Sequence, residues 1–176
     1  MENVKSEFEG LAFGLADGVI CFLGILIGVA AATSNTNIVI IAGVVGGIAD
    51  AFGNSIGFYI SQAMERGIQT HRKKEKKHEV YVHSYSEVVM NASYSFIGTL
   101  IVLAILLAPF LFFDLKTAAI MASVVAAVLL FVLGVYVSTL MGESALKTGT
   151  EFAAIGIIGA LLSYAIGAWL KTLLST

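Results

Sequence analysis

Five long apolar segments, separated by shorter polar ones, make up most of the sequence. Each is long enough to cross the hydrocarbon core of a bilayer, which takes about 20 apolar residues in an α-helix. The longest polar segment, residues 67–87, is rich in basic residues and separates the second apolar segment from the third. The pattern predicts an all-α integral membrane protein in which residues 1–176 form a single transmembrane domain. The predicted spans are residues 11–33, 38–66, 88–113, 117–141 and 152–174.

The composition excludes a soluble domain. Apolar residues make up 58% of the chain, charged residues make up 12%, and the mean hydropathy is +0.92. Soluble domains carry roughly 25% charged residues and about 45–50% apolar ones. A chain of 176 residues cannot bury so much apolar surface in its own core, so lipid must cover the remainder. We therefore expect membrane lipid as a partner and no nucleic acid.

The basic residues predict the orientation of the chain. If the N-terminus lies in the cytoplasm, eight basic residues fall on the cytoplasmic side and only Lys116 and Lys171 fall outside. This excess matches the positive-inside rule and makes residues 67–87 a cytoplasmic connection. An odd number of spans then places the C-terminus outside. The N-terminal segment lacks the basic region of a signal peptide, and no organelle signal is present, which favours the cell membrane of a prokaryote.

Glycines recur at four-residue spacing in the first two spans. This spacing aligns them on one helix face and lets two helix backbones approach closely in lipid. Packing within one subunit and packing between subunits fit the pattern equally well. The series are Gly10, Gly14 and Gly18, then Gly24 and Gly28, and in the second span Gly43 and Gly47, then Gly53 and Gly57.

Two acidic residues, Asp17 and Asp50, fall inside predicted spans. A charged group at the centre of a span costs about 2.5–3.5 kcal/mol on insertion scales, so such groups seldom persist without a partner or a purpose. Asn54 lies one helical turn from Asp50 and shares its helix face. Counting from the membrane entry points at about 1.5 Å per residue places all three side chains at a similar depth. Two carboxylates and an amide oxygen suit a divalent cation.

A purely structural role for these acids is the alternative. Asp17 and Asp50 would then pair with polar groups of neighbouring helices or share a proton. Apart from Arg66 and Lys171 near span ends, no Lys or Arg lies within the spans to neutralise them, which leaves a metal ion or protons as the counter-charge.

Further acids frame the cytoplasmic ends of the helices, and two of them, Glu65 and Glu151, are candidate metal ligands. They are either solvated charges at helix ends or a zone that raises the local cation concentration. His71, His78 and His83 are expected to be solvated, because their spacings of seven and five fit no common zinc pattern. The single cysteine, Cys21, lies in an apolar run and supports no disulfide or redox motif.

Several segments resemble the vacuolar iron transporter family. The first span, GLAFGLADGVICFLGILIGVA, is similar to that family's first helix, with Asp17 and Gly18 at the matching positions. The family's Gly-Glu-Tyr-x-Ser corresponds to GFYIS, its Leu-Leu-Pro to LLAPFLFF, and its last helix to LKTGTEFAAIGIIGALLSYAIGAWL. The resemblance covers nearly the whole chain. It implies a homodimer of five-helix subunits that exports ferrous or related ions from the cytosol in exchange for protons along the dimer axis, with Asp17 as a metal ligand.

The sequence departs from this family in three places. An ungapped alignment puts Asp50 and Asn54 where the family has two methionines, so hard oxygen replaces soft sulfur and manganese-like ions are favoured. Phe58 stands where the family has glutamate. The glutamate-rich cytoplasmic domain between the second and third helices is missing, and residues 67–87 stand in its place.

The sequence therefore predicts a homodimeric transporter of a divalent cation, Fe²⁺ or Mn²⁺, which binds at Asp17, Asp50 and Asn54. Metal ions and protons are its expected ligands, no resident cofactor is expected, and the chain is not expected to be an enzyme. A lipid head-group transferase is disfavoured, because Asp17 and Gly18 begin such a motif but its later residues are missing. A passive cation channel and a structural or partner-binding membrane protein remain alternatives.

Overall fold

The computed structural model of the chain describes residues 9–75 and 82–174. Within these residues, five α-helices run up and down in alternation, joined by short connections. Each is long and apolar enough to cross a membrane, which confirms the predicted all-α, multi-pass architecture. The helices are α1 (Glu9–Ala32), α2 (Thr36–Glu75), α3 (Tyr85–Phe112), α4 (Leu115–Met141) and α5 (Ala145–Leu174).

Helix α2 is longer than the sequence pattern predicts. It continues through the first part of the predicted connection 67–87 and extends over 40 residues, or roughly 60 Å, twice the ~30 Å core of a bilayer. Its C-terminal continuation is held to the start of α3, because Arg66 Nε donates to the His83 carbonyl at 2.9 Å. The His83 N–H in turn donates to the Gln69 side chain at 3.0 Å. Residues 76–81 of the predicted connection lie outside the described residues.

The helix ends are closed by local hydrogen bonds. Ser84 and Glu87 form a reciprocal capping box at the start of α3. Asp114 caps α4 by accepting from the Thr117 N–H at 3.2 Å, and hydrogen bonds from the Thr117 side chain and backbone lower the pKa of Asp114. Gly142 ends α4 with a φ of 71°, a conformation that favours glycine.

Helix α1 is the centre of the bundle and contacts each of the other four helices. Its Phe22 and Leu26 are fully buried, together with Leu106 of α3 and Ala122 of α4. Large apolar side chains cover the outer faces of the bundle and remain exposed. Such a surface is stable only when lipid covers it.

The closest contact in the bundle joins a glycine stripe on α1 to α3. Gly10 lies on the Asn91 backbone, Gly14 on that of Ser95, and Gly18 on that of Thr99. A Cβ atom at Gly10 or Gly14 would collide with the α3 carbonyl oxygen that it faces. The first glycine series therefore packs within the subunit.

The other glycine series of the first two spans also pack within the subunit, with one exception. Gly28 of α1 meets Gly167 of α5, and Gly47 of α2 fits against Leu103 of α3. Gly53 and Gly57 of α2 are exposed, and no atom lies within 4 Å of the space that a Cβ would occupy. The structure thus distinguishes packing within the subunit from packing between subunits. Most glycine series pack in the subunit core, whereas the Gly53 and Gly57 series does not.

We predict that Gly14→Ala lowers the unfolding free energy by about 1–3 kcal/mol, since the added methyl group cannot fit against the rigid Ser95 backbone. The thermal midpoint of the purified protein in detergent measures this. Gly159→Ala is the control, because open space surrounds Gly159, and its midpoint should stay or rise. Equal midpoints for the two variants would contradict the close contact between α1 and α3.

Candidate functional site

Helices α1, α2 and α3 bring the intramembrane polar residues together. The Asn54 amide Nδ2 donates to Asp50 Oδ2 at 3.2 Å and lies 3.4 Å from Thr99 Oγ1. The Thr99 hydroxyl lies 3.1 Å from the Gly14 carbonyl and 2.9 Å from that of Ser95, so it donates to the α1 and α3 backbones. One chain of hydrogen bonds thus links α2 through α3 to α1.

The two aspartates lie close enough to interact. The Asp17 carboxylate lies within electrostatic range of Asp50, and the Cys21 thiol of α1 lies near the Asp50 carboxylate. Asp17, Asp50 and Asn54 are each partly buried. Asp50 and Asn54 therefore lie together on α2, and Asp17 and Cys21 of α1 lie within interaction range of Asp50.

The charge of this group is not balanced within the subunit. The sequence contains no Lys or Arg between Lys5 and Arg66, so neither carboxylate has a basic neighbour on α1 or on the membrane part of α2. Two like charges in a medium of low dielectric constant repel each other strongly. The arrangement favours any species that brings positive charge between them, either a metal ion or protons.

Buried polar side chains continue from this group toward the cytoplasmic end predicted from the sequence. Asn91, Ser95 and Thr99 follow each other at four-residue spacing on α3, and all three are fully buried. Gln62 of α2 accepts from Asn91 Nδ2 at 3.3 Å and donates to Glu9 Oε2 of α1, also at 3.3 Å. We call Asn91, Ser95, Thr99, Gln62 and Glu9 the polar column.

Two oxygens of the polar column lack a hydrogen-bond partner among the described residues. They are Asn91 Oδ1 and Ser95 Oγ. A buried polar atom without a partner costs about 1–3 kcal/mol, so native proteins seldom keep one without a function. Both oxygens lie between the aspartates and the end of the bundle where Glu9 is found.

The outer candidates lie apart from the aspartates. Glu65 is exposed, accepts from Gln69 Nε2 at 3.1 Å, and acts electrostatically on Glu9. Glu151 is exposed on α5. No group of three or more His, Cys, Asp or Glu residues within 9–75 and 82–174 is arranged to hold a metal ion. This holds for Asp17, Asp50 and Cys21 as well, so the described part of one subunit does not by itself form a metal site from such residues.

The histidines differ from expectation at one position. His71 is exposed as expected, whereas the side chain of His83 is only 11% exposed and its Nδ1 lies 3.4 Å from Glu87 Oε2. The long continuation of α2 covers His83, and the sequence pattern did not predict that continuation. His78 lies outside the described residues.

The sequence interpretation also missed Gln62 and Thr99. Both are single polar residues in apolar surroundings, which is a weak signal. Their spacing is the sequence signal that could have identified them. Gln62 lies two turns after Asn54, and Thr99 completes the four-residue series of Asn91 and Ser95. Cys21 was noted for its redox chemistry alone, since its contact with Asp50 depends on the packing of α1 against α2.

Residues 9–91, which include Asp17, Asp50 and Asn54, match the model of the VIT family. An uncharacterized protein of the archaeon Methanocaldococcus jannaschii is 32% identical over 173 residues, which covers 93% of this chain and 90% of that protein. The family comprises transporters rather than enzymes. The five membrane helices, the intramembrane carboxylates and these matches agree. The chain therefore belongs to the VIT family of multi-pass membrane proteins that transport metal ions.

Proposed function

We propose that this protein exports a divalent cation, Fe²⁺ or Mn²⁺, from the cytosol in exchange for protons, and that Asp17, Asp50 and Asn54 bind the ion. The observation that carries the proposal is that two carboxylates of the predicted spans lie within electrostatic range of each other without a basic residue to balance them. A divalent cation between the carboxylates removes their mutual repulsion. The Asn54 amide, whose nitrogen links Asp50 and Thr99, can turn its oxygen toward the ion.

Proton exchange follows from the same carboxylates. Metal binding requires them to be deprotonated, so protonation from the more acidic side weakens binding and releases the ion. The polar column supplies the route from the cytosol. It begins at Glu9 and ends beside Asn54, and Gln62 and Asp50 lie about 18 Å apart along α2. The unpaired oxygens of Asn91 and Ser95 offer contacts to an ion or its water along this route.

The Cys21 sulfur affects which ion is preferred. The site residues on α2 are hard oxygen ligands, which favour Mn²⁺, whereas sulfur ligands favour softer ions. Because the Cys21 thiol lies near the Asp50 carboxylate, an ion bound to that carboxylate would lie within reach of the sulfur. A mixed set of oxygen and sulfur ligands suits Fe²⁺ better than oxygen alone.

A second subunit would complete the site. Ala49, Gly53, Gly57 and Ser61 follow each other at four-residue spacing on α2, and all four are exposed. Stripes of small residues allow close helix pairs in lipid, and nothing within the subunit covers Gly53 or Gly57. In our proposal two copies of α2 pack along this stripe. Each Asp50 then lies one residue from the dimer contact, and ligands from both subunits surround the transport path.

We predict that Asp17→Asn and Asp50→Asn each reduce metal uptake into proteoliposomes by more than about tenfold, which is the smallest typical effect of losing even an outer partner of a metal ion. Uptake of Fe²⁺, Mn²⁺, Co²⁺ and Zn²⁺ is measured with a pH-sensitive dye inside the vesicles. For the wild type we expect proton movement opposite to the metal flux.

Asp114→Asn is the matched control for this experiment. It makes the same chemical change in a carboxylate outside the membrane, and asparagine caps a helix as well as aspartate does. Its uptake should equal that of the wild type. Full uptake by Asp17→Asn or Asp50→Asn would contradict the proposed site. Metal flux without proton movement would indicate a channel, and the absence of any flux would indicate a structural role.

We predict that Cys21→Ser lowers the ratio of Fe²⁺ to Mn²⁺ uptake by up to about tenfold, because a hydroxyl replaces the only sulfur at the site. Competition between the two ions in the same proteoliposomes measures the ratio. Ser93→Cys, on the exposed face of α3, tests whether an added thiol alone changes selectivity, and its ratio should match the wild type. An unchanged ratio in Cys21→Ser would exclude sulfur as a ligand.

We predict that Ser61→Cys forms a disulfide-linked dimer under mild oxidation in membranes, because Ser61 lies on the small-residue stripe of α2. Thr150→Cys is the control: it makes the same change from hydroxyl to thiol at an exposed position of α5 near the same end of the bundle. Electrophoresis without reductant measures the product. Crosslinking of Thr150→Cys without crosslinking of Ser61→Cys would indicate that the subunits contact each other through α5 and not through α2.

A further inference from the structure

A deep groove runs between α1, α4 and α5, on the opposite side of α1 from the polar column. Its volume is about 740 Å³, within the range of roughly 300–1,000 Å³ that is typical of ligand sites. Apolar side chains form most of its wall, including Leu23 of α1, Ala127 of α4 and Leu161 of α5. None of the candidate metal ligands lines it. The groove is therefore separate from the proposed transport path.

The groove has the depth of one leaflet. Along α4 its lining extends from Leu115 to Ala127, which is about 18 Å at 1.5 Å per residue. Half of a bilayer core of ~30 Å is about 15 Å. The groove thus starts at the level of the lipid head groups and ends near the middle of the membrane. This length suits an acyl chain.

Two lysines line the mouth of this groove. Lys116 lies at the start of α4, Lys171 lies at the end of α5, and both side chains are exposed. In the sequence they are the only basic residues predicted to lie at this end of the bundle. Tyr164 also lines the groove, two turns from Lys171 on the same face of α5, and carries a hydroxyl group below the lysine.

We propose that the groove binds an anionic phospholipid, with its phosphate between Lys116 and Lys171 and one acyl chain against the apolar wall. Lysines hold phosphate as point charges, and basic pockets between membrane helices recognise anionic head groups. The Tyr164 hydroxyl is positioned to donate to the glycerol ester region. The two lysines distinguish this bound lipid from the general lipid that covers the bundle.

A second groove, without lysines, illustrates the difference between a specific lipid site and general lipid contact. It has a volume of about 530 Å³ between α1, α3 and α4, and no charged residue lines it. Such a groove accepts the acyl chain of any lipid. The first groove also differs from the small-residue stripe on α2, because a second subunit over Lys116 and Lys171 would have to desolvate two positive charges. A lipid phosphate neutralises them instead.

The test is native mass spectrometry of the purified protein titrated with phosphatidylglycerol or phosphatidylcholine of identical acyl chains. We expect tighter binding of phosphatidylglycerol. Lys116→Gln and Lys171→Gln should each weaken it by about fivefold and together by about 30-fold, with little change for phosphatidylcholine. Lys147→Gln, at the opposite end of the bundle, is the matched control and should bind as the wild type does.

Ala127→Phe tests the contribution of the acyl chain separately from that of the lysine charges. It fills the deep end of the groove and leaves both lysines in place. It should also weaken phosphatidylglycerol binding, while an unchanged thermal midpoint shows that the protein is folded. Unchanged binding in the double lysine variant would overturn the proposal, as would equal affinity for the two lipids. Competition by glycerol phosphate without acyl chains, or a changed oligomeric state in Ala127→Phe, would also overturn it.

Discussion

The contact between α1 and α3 determines the interior of this bundle. Lipid offers no hydrophobic driving force between helices, so close backbone packing must supply the attraction. Gly10, Gly14 and Gly18 remove the side chains that would keep α3 at a distance. The Thr99 hydroxyl then reaches the Gly14 carbonyl at 3.1 Å. The same approach buries the polar side chains of α3 against α1, where lipid cannot reach them.

The candidate metal site depends on that contact. Thr99 accepts from Asn54, which donates to Asp50, so the position of α3 on the glycine stripe governs the geometry of the α2 ligands. Asp17 lies on α1 between Gly14 and Gly18, which fixes its height relative to Asp50. Rigid packing keeps the two carboxylates near each other, so their mutual repulsion remains as an energetic cost. In our proposal a cation removes this cost, and protons can replace the cation.

Apolar length and the rarity of intramembrane acids made much of this structure predictable. The five helices followed from counting apolar residues, and the proximity of Asp17 to Asp50 followed from the depth at which a bilayer places each position. The continuation of α2 to Glu75 could not be predicted in this way. It is supported by contacts of Arg66 and Gln69 with His83, which lies just before α3, and not by hydrophobicity. Glycine spacing identifies a helix face but not its partner, so only the structure separated the Gly14 series from the Gly57 series.

Direct binding of Mn²⁺ tests the central claim, that paired intramembrane carboxylates hold the ion. The electron paramagnetic resonance signal of free Mn²⁺ is recorded while purified protein is titrated with the ion at neutral pH. Our account predicts that the wild-type protein and Asp114→Asn remove Mn²⁺ from solution with the same stoichiometry, and that Asp50→Asn does not. Binding by Asp50→Asn with wild-type affinity and stoichiometry would contradict the account.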